Sequence, residues 1–347
     1  MIKNILIINP FGIGDVLFST PLAAAIKEQY PYSYIAYICN LKTYDILNTN
    51  PLVNEVFVFE RDEYRNLWKK SKLSAVKKFL AFWGEIKKRK FDIVFDLSLG
   101  KEYAFFCWWA GIKDRRGFDY KGRGKFLNHK IKFDGFNDKP VAEYYLDLAG
   151  KRNSYKTTLI TTKKDKEYID NFLNQSGVKE SDTLIGVAPG GGMSFGRENQ
   201  ERRRWGAKKF AELADKIDAR VVLIWGPGEE DLVKETASLM KNKPLIAPPT
   251  KIREMAELCG RCGLVICSEG GPLHIANSQG VRTISIFGPV DEKVYGPYPG
   301  GEKSAVITSS VSCRPCYKKF KLPECDNKKC LEDILAEEVF KSIKIGV

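Results

Sequence analysis

Asn4-Ile5-Leu6-Ile7-Ile8-Asn9-Pro10-Phe11-Gly12-Ile13-Gly14-Asp15 opens the chain with an apolar run, a proline and two glycines in close succession. Ile5 to Ile8 are continuously apolar, the pattern of a parallel strand buried on both faces. Asn9-Pro10 stops the run, and Gly12 and Gly14 let the backbone approach a ligand where strand gives way to helix, at the carboxyl edge of an open sheet. A dinucleotide fingerprint would need a third glycine near position 17 and an acid closing the second strand. The chain has Leu17 and Cys39-Asn40 there, which disfavours a nicotinamide cofactor. Asp15 can accept a proton from a substrate hydroxyl if it stays ionised; the alternative is a plain helix-capping carboxylate.

The strand signature recurs at Tyr34–Cys39, Glu55–Phe59 and Phe91–Leu97, and again at Leu184–Ala188, Arg220–Trp225, Leu264–Ser268, Arg282–Phe287 and Ala305–Ile307. Helical spacing lies between. Thr20-Pro21 reads as a helix start, followed by Leu22, Ile26 and Tyr30, with further helices at Lys208–Ile217, Glu229–Met240 and Ile252–Cys259. Strand–helix alternation in both halves predicts α/β architecture with two parallel sheets. The expected division is a domain at 1–155, a linker region at 156–181, a second domain at 182–330, and a terminal helix at 331–347 packing back on the first domain.

The 347 residues are 44% hydrophobic, ordinary for a folded chain, and no run approaches the roughly 18 apolar residues of a membrane helix. The first apolar run is too short for a signal-peptide core, so a cytoplasmic location is expected, with peripheral attachment to the inner face of the cytoplasmic membrane. Lys and Arg number 56 against 43 acids, a net +13. Eleven of those cations fall in residues 61–90 against three acids, so this segment alone carries +8. Val76, Phe79, Leu80 and Trp83 are spaced to form one apolar stripe on this cationic helix, as on an interfacial helix at anionic lipid or on a surface helix packed on its own domain. No recognition motif accompanies the charge, which argues against nucleic acid.

The second half holds a denser set of loops. Ala188-Pro189-Gly190-Gly191-Gly192 ends a strand with backbone amides suited to phosphate. Arg202-Arg203-Arg204-Trp205 follows with charge for a diphosphate. Trp225-Gly226-Pro227-Gly228-Glu229 sets an acid after the next strand, suited to a ribose or base edge. Cys267-Ser268-Glu269-Gly270-Gly271-Pro272-Leu273-His274 opens a helix with one of two histidines in the chain. Four such loops at successive strand ends point to one nucleotide-diphosphate site.

Together, NPFGIGDVLFSTPLAAAIKEQYP, RRRW, WGPGEE and CSEGGPLHIANSQGVRTISIFGP resemble glycosyltransferase family 9, the ADP-heptose:lipopolysaccharide heptosyltransferases and their relatives. The resemblance runs from the first strand to about residue 330 and is weakest over residues 61–145. It implies a GT-B fold of two facing Rossmann-like domains, an acceptor on the first, an ADP-sugar on the second, and inverting transfer without a catalytic metal. It further implies Asp15 as the base on the acceptor hydroxyl, with Gly12 and Gly14 in the acceptor-side loop. Arg203 stands where the family has a phosphate-contacting lysine, Glu229 where it has a nucleoside-binding acid, Thr250 near an adenine contact, and His274 with the Gly271 amide at the donor phosphates. Gly190 and Gly191 complete the implied donor loop. The chain departs from the family's Asp-Ser/Thr-Gly with Glu269-Gly270-Gly271, which removes a hydroxyl and lengthens the acid. A catalytically silent relative that binds glycan or nucleotide is the alternative.

Cys313, Cys316, Cys325 and Cys330 are close enough in sequence for a tetrathiolate holding structural zinc or iron, for reduced thiols packing a loop, or for disulfides. Cys259 and Cys262 read as buried thiols at a helix end, and Cys39, Cys107 and Cys267 as small core residues.

Overall fold

A computed structural model describes residues 3–192, 200–301, 303–325 and 327–344. The last residues of the terminal helix expected at 331–347 lie outside this range. The chain divides into one unit of Met1–Gly135 with Ala142–Tyr155, and a second of Phe136–Val141 with Lys156–Val347.

The first unit is built on β1 (Asn4–Ile8), β2 (Tyr34–Cys39), β3 (Glu55–Val58), β4 (Ile93–Asp96), β5 (Asp114–Tyr120) and β6 (His129–Phe133), in the order β3-β2-β1-β4-β5-β6. The second is built on β7 (Leu184–Ala188), β8 (Arg220–Leu223), β9 (Leu245–Ile246), β10 (Leu264–Ser268), β11 (Arg282–Phe287) and β12 (Ser304–Thr308), in the order β12-β11-β10-β7-β8-β9. All pairings between these strands are parallel. Counted from its own first strand, each sheet has the doubly wound order 3-2-1-4-5-6, which places a ligand crevice at the carboxyl ends between its first and fourth strands. Those pairs are β1 with β4 and β7 with β10.

The first helix corrects an expectation. It runs Ile13–Gln29, so Thr20-Pro21 lies in its interior and does not start it. Proline at 21 cannot donate to the carbonyl of Leu17. The Thr20 hydroxyl donates to that carbonyl instead, at 2.8 Å, so the acceptor is satisfied and the helix continues.

The basic segment folds as two helices, Arg61–Lys70 and Lys72–Lys88, the second capped by the Ser71 hydroxyl, which accepts from the Ser74 amide. Its expected single apolar stripe is split. Trp83 and Ile86 are buried with Phe79 and Phe82 against Phe57, Phe59 and Phe106, while Val76 and Leu80 stay 41% and 53% exposed.

In the second unit, the stretch read as a linker contains the helix Lys163–Gln175, started by a capping box between Thr162 and Asp165. Asp165 also accepts from Arg253 Nε at 3.1 Å, and Thr161 from its hydroxyl donates to Glu257 at 2.8 Å, which bind this helix to the helix Ile252–Gly260 of the same unit. The terminal helix Ala336–Lys344 places Val339, Phe340 and Ile343 in the core of the second unit. Its apolar face matches Phe210, Leu213 and Ala214 there, and Arg282 donates to the carbonyls of Ser342 and Ile343.

Candidate functional site

In the first unit the loop after β1 is held by two asparagines. Asn9, fully buried, donates to the Asp15 carbonyl at 3.0 Å and accepts from the Phe11 amide at 3.2 Å, while Asn40 donates to the carbonyls of Pro10 and Phe11. Gly12 caps the first helix and its amide donates to Asp15 Oδ2 at 3.3 Å; Gly14 lies inside the helix's first turn. Burial outweighs that amide and pushes the Asp15 carboxyl up to about 6. A carboxyl tuned toward neutrality in a pinned loop is equipped to take up a proton.

Sequence reasoning missed Asp96, which closes β4 beside that loop. It is 3% exposed, Oδ1 accepts from the Ser98 amide at 3.0 Å, Oδ2 has no partner, and burial pushes this carboxyl up to about 6 as well. The available signal was an acid ending an otherwise apolar strand in FDIVFD. Next to it a cavity of about 620 Å³ is lined by Pro10, Phe11, Arg61, Tyr64, Trp83 and Tyr103 among others. The indole N–H of Trp83 and the hydroxyl of Tyr103 are both buried without partners.

In the second unit the loops after β7 and β10 touch. Gly270 precedes the helix Gly271–Ser278 at φ 135° and ψ −156°, a region that is essentially glycine-only. A Cβ at 270 would stand 2.1 Å from the Gly191 carbonyl oxygen, and one at Gly191 would stand 2.7 Å from the Glu269 carbonyl oxygen. On this backbone path position 270 has no room for the Ser or Thr that the resemblance implies.

Glu229 changes the reading of the glycine loop. Its Oε1 accepts from the amides of Gly191 and Gly192 at 3.0 and 2.8 Å, and Oε2 from Gly226 at 3.0 Å, with the side chain 1% exposed. Amides expected to cradle a phosphate are thus engaged by a carboxylate of the chain. Gly190 packs directly on that carboxylate, where a Cβ would meet Oε1 at 2.1 Å.

The three arginines, expected as one cationic cluster, diverge. Arg202 donates to the Pro323 carbonyl, Arg204 pairs with Glu201, and Arg203 turns inward to Glu269. The last is a two-point pair, Nε to Oε1 and Nη2 to Oε2 at 2.5 Å, so the longer acid at 269 meets the arginine at 203. His274 is buried in the first turns of its helix, and desolvation together with the Arg203 charge pushes it down to about 4. It is a neutral imidazole at neutral pH. The Thr250 hydroxyl, after β9, is buried and has no partner.

The four C-terminal cysteines are unpaired thiols; Cys313 and Cys325 are exposed, Cys330 is buried, and the Cys325 thiol donates to the Asn327 carbonyl at 2.7 Å. Among the described residues no group of three or more His, Cys, Asp or Glu side chains is arranged to hold a metal ion, while Cys313, Cys316 and Cys325 lie near enough to Cys330 to help raise its thiol pKa. Cys39, Cys107, Cys259, Cys262 and Cys267 are buried.

Comparison with known proteins agrees with this pattern of loops. The model of glycosyltransferase family 9 (heptosyltransferase) matches residues 79–326. Over 346 residues the chain is 24% identical to lipooligosaccharide heptosyltransferase 2 of Campylobacter jejuni, covering 96% of each. The structure of a family 9 glycosyl transferase from Veillonella parvula superposes with a TM-score of 0.80 at 22% identity, covering 99% of this chain and 96% of that one. ADP-heptose lipopolysaccharide heptosyltransferase II of E. coli superposes with a TM-score of 0.75 at 20% identity, covering 99% and 98%. The shared fold is GT-B.

Proposed function

Because this chain belongs to glycosyltransferase family 9 and is a glycosyltransferase, we propose that it moves a heptose from an ADP-linked donor to the saccharide of a lipopolysaccharide core, with inversion at the anomeric carbon. The observation that carries this reading is Asp15, a carboxyl at about 6 in a loop pinned by two asparagines. The names of the relatives, lipooligosaccharide heptosyltransferase 2 and ADP-heptose heptosyltransferase II, support the choice of sugar and donor.

In this mechanism the acceptor oxygen attacks the anomeric carbon as its proton passes to Asp15, the bond from that carbon to the phosphate oxygen breaks, and ADP departs with the bonding pair. Proton removal of this kind contributes roughly 10²–10⁴-fold. Charge growing on the diphosphate meets the Arg203 guanidinium, the neutral N–H of His274 and the amide of Gly271 at a helix start. Glu269 holds Arg203 in its place. Glu229 serves the nucleoside side by fixing the loops of Gly190–Gly192 and Gly226, and Thr250 offers its unpartnered hydroxyl to the base. The acceptor is a glycolipid at an anionic membrane surface on the cytoplasmic side. No helix among the described residues is long and apolar enough to cross a membrane.

The test is mass-spectrometric identification of the product formed from a panel of ADP-, GDP- and UDP-sugars with a deacylated lipopolysaccharide-core acceptor, and the anomeric configuration by NMR. Heptose addition from the ADP-sugar, lost in Asp15→Ala, is expected. Transfer undiminished in Asp15→Ala would remove the base assignment, and preferred transfer from a GDP- or UDP-sugar the donor assignment.

A further inference from the structure

We propose that the helical hairpin Arg61–Lys88 is a lipid-docking wedge whose outer face enters an anionic bilayer. The helix Lys72–Lys88 has two apolar faces. Ala75, Phe79, Phe82, Trp83 and Ile86 face the sheet, as a core-covering helix requires. Leu73, Val76 and Leu80, spaced i, i+3 and i+7, form a second stripe that faces outward, 81%, 41% and 53% exposed. Trp68, near the end of the preceding helix, is 51% exposed and joins Arg61 and Tyr64 in lining the cavity beside the Asp15 loop, and farther along the helix the Lys87 ammonium lies 4.8 Å from the ring centre of the half-exposed Trp109. A cluster of this composition on a protein surface marks an interaction site.

The charge around the stripe selects the partner. From Tyr64 to Gly84 the chain has no acid and six cations, Arg65, Lys69, Lys70, Lys72, Lys77 and Lys78. Lys78 pairs with Glu63 and Arg65 with Asp62, but Lys69, Lys70, Lys72 and Lys77 form no ion pair among the described residues. Uncompensated lysines interleaved with leucine and tryptophan complement a surface that is anionic at its headgroups and apolar just beneath. A neutral protein groove would leave these charges buried without partners, and nucleic acid would leave the leucines unused. This proposal extends the glycolipid acceptor named above, because the same hairpin supplies Arg61 and Tyr64 to the cavity beside the Asp15 loop.

The experiment uses the full chain with phosphatidylcholine vesicles, alone or containing about 25 mol% phosphatidylglycerol. Sedimentation with the anionic vesicles at low salt is expected, falling as salt screens the lysines. Leu73→Ser with Leu80→Ser should lower partitioning at least about tenfold, since each exposed leucine would otherwise bury in the acyl region. The unfolding midpoint should stay that of the parent. Lys70→Gln, Lys72→Gln and Lys77→Gln should each lower vesicle partitioning about fivefold. Quenching of tryptophan emission by brominated lipid should shrink in Trp68→Phe. Equal partitioning by the leucine variant overturns the proposal, as does a self-associated parent that the leucine variant disperses, or binding to single-stranded DNA in preference to vesicles. Turnover of the deacylated acceptor is measured in parallel: its absence from the parent chain would defeat the transferase reading while leaving the vesicle result to stand or fall separately.

Discussion

Arg203 and Glu269 meet as a two-point ion pair at the junction of the β7 and β10 loops, 9% and 3% exposed. Breaking such a pair from one side leaves an uncompensated buried charge, a loss of about 3–5 kcal/mol. Glu269→Gln should therefore lower the unfolding free energy by that amount, read as a lower denaturant midpoint. Glu269→Asp, which restores the family's residue but retracts the carboxylate by a methylene, should fall between parent and Gln. An unchanged midpoint in Glu269→Gln would show that the charge of Arg203 is balanced by other groups.

The pH dependence follows from Asp15. Below about 6 its carboxyl is protonated and cannot take the acceptor's proton, so kcat/KM should rise about tenfold per pH unit toward 6 and level off above it. The stability effect has the opposite sign. A carboxyl whose pKa is raised by folding makes the fold more stable as pH drops from about 6 toward its unfolded value of 3.8. Asp15→Asn should thus lose activity roughly 10²–10⁴-fold without a lower melting temperature at pH 7.5. Asp96→Asn separates the second carboxyl near 6: if the acidic limb disappears there and persists in Asp15→Asn, the roles are reversed.

His274 should behave as a neutral donor. With its pKa pushed down to about 4, it contributes no charge change between pH 5 and 8. His274→Gln, which keeps an uncharged N–H donor, should retain activity within about tenfold, while His274→Ala should lose roughly 10²–10³-fold, the scale of one lost donor at a developing anion. Equal losses in both would point to ring shape or packing as the essential property.

Gly270→Ser restores the hydroxyl that the family pattern has and should nonetheless damage the protein. Its backbone region alone costs a non-glycine residue about 1–3 kcal/mol, before the 2.1 Å approach of the Gly191 oxygen is counted. Gly263→Ala, at an exposed position with open space around its Cβ, is the control and should leave the melting temperature nearly unchanged. A Gly270→Ser variant as stable as that control would show the loops to be freely separable.

Thr250→Val removes a hydroxyl that has no internal partner. Stability should not fall, since no internal hydrogen bond is lost. If the hydroxyl serves the donor base, the donor KM should rise several-fold with kcat unchanged. A variant with the parent's KM would remove Thr250 from the site.

The core strands were legible because parallel strands covered on both faces read as continuous apolar runs, as Ile5–Ile8 and Leu264–Ser268 do. β5 and β6 were not, because Asp114-Arg115-Arg116-Gly117 and His129-Lys130-Ile131-Lys132 put charge into outer strands with little covering. Pro21 misled for a local reason, since sequence pattern does not disclose that a neighbouring threonine will satisfy the stranded carbonyl. At the candidate site the loops and their order were legible, but their use was not. The glycine amides looked free for phosphate because nothing in the spacing reveals that Glu229, nearly forty residues later, folds onto them. Asp96 escaped notice because one acid at a strand end is a weak signal until its unpaired oxygen is seen.

The crossing of Gly191 and Gly270 also imposes an order on mutational history. Backbone oxygens that no rotamer change can move, that of Gly191 for position 270 and that of Glu269 for position 191, deny a side chain at both positions, so neither can gain one unless the facing loop moves. Regaining Ser or Thr at 270 requires the β7 loop to be rerouted first, and a chain bearing the hydroxyl can take the present path only together with or after its loss. The two sites should therefore vary as a linked pair across related chains, with the intermediate that changes 270 first being the one selection removes.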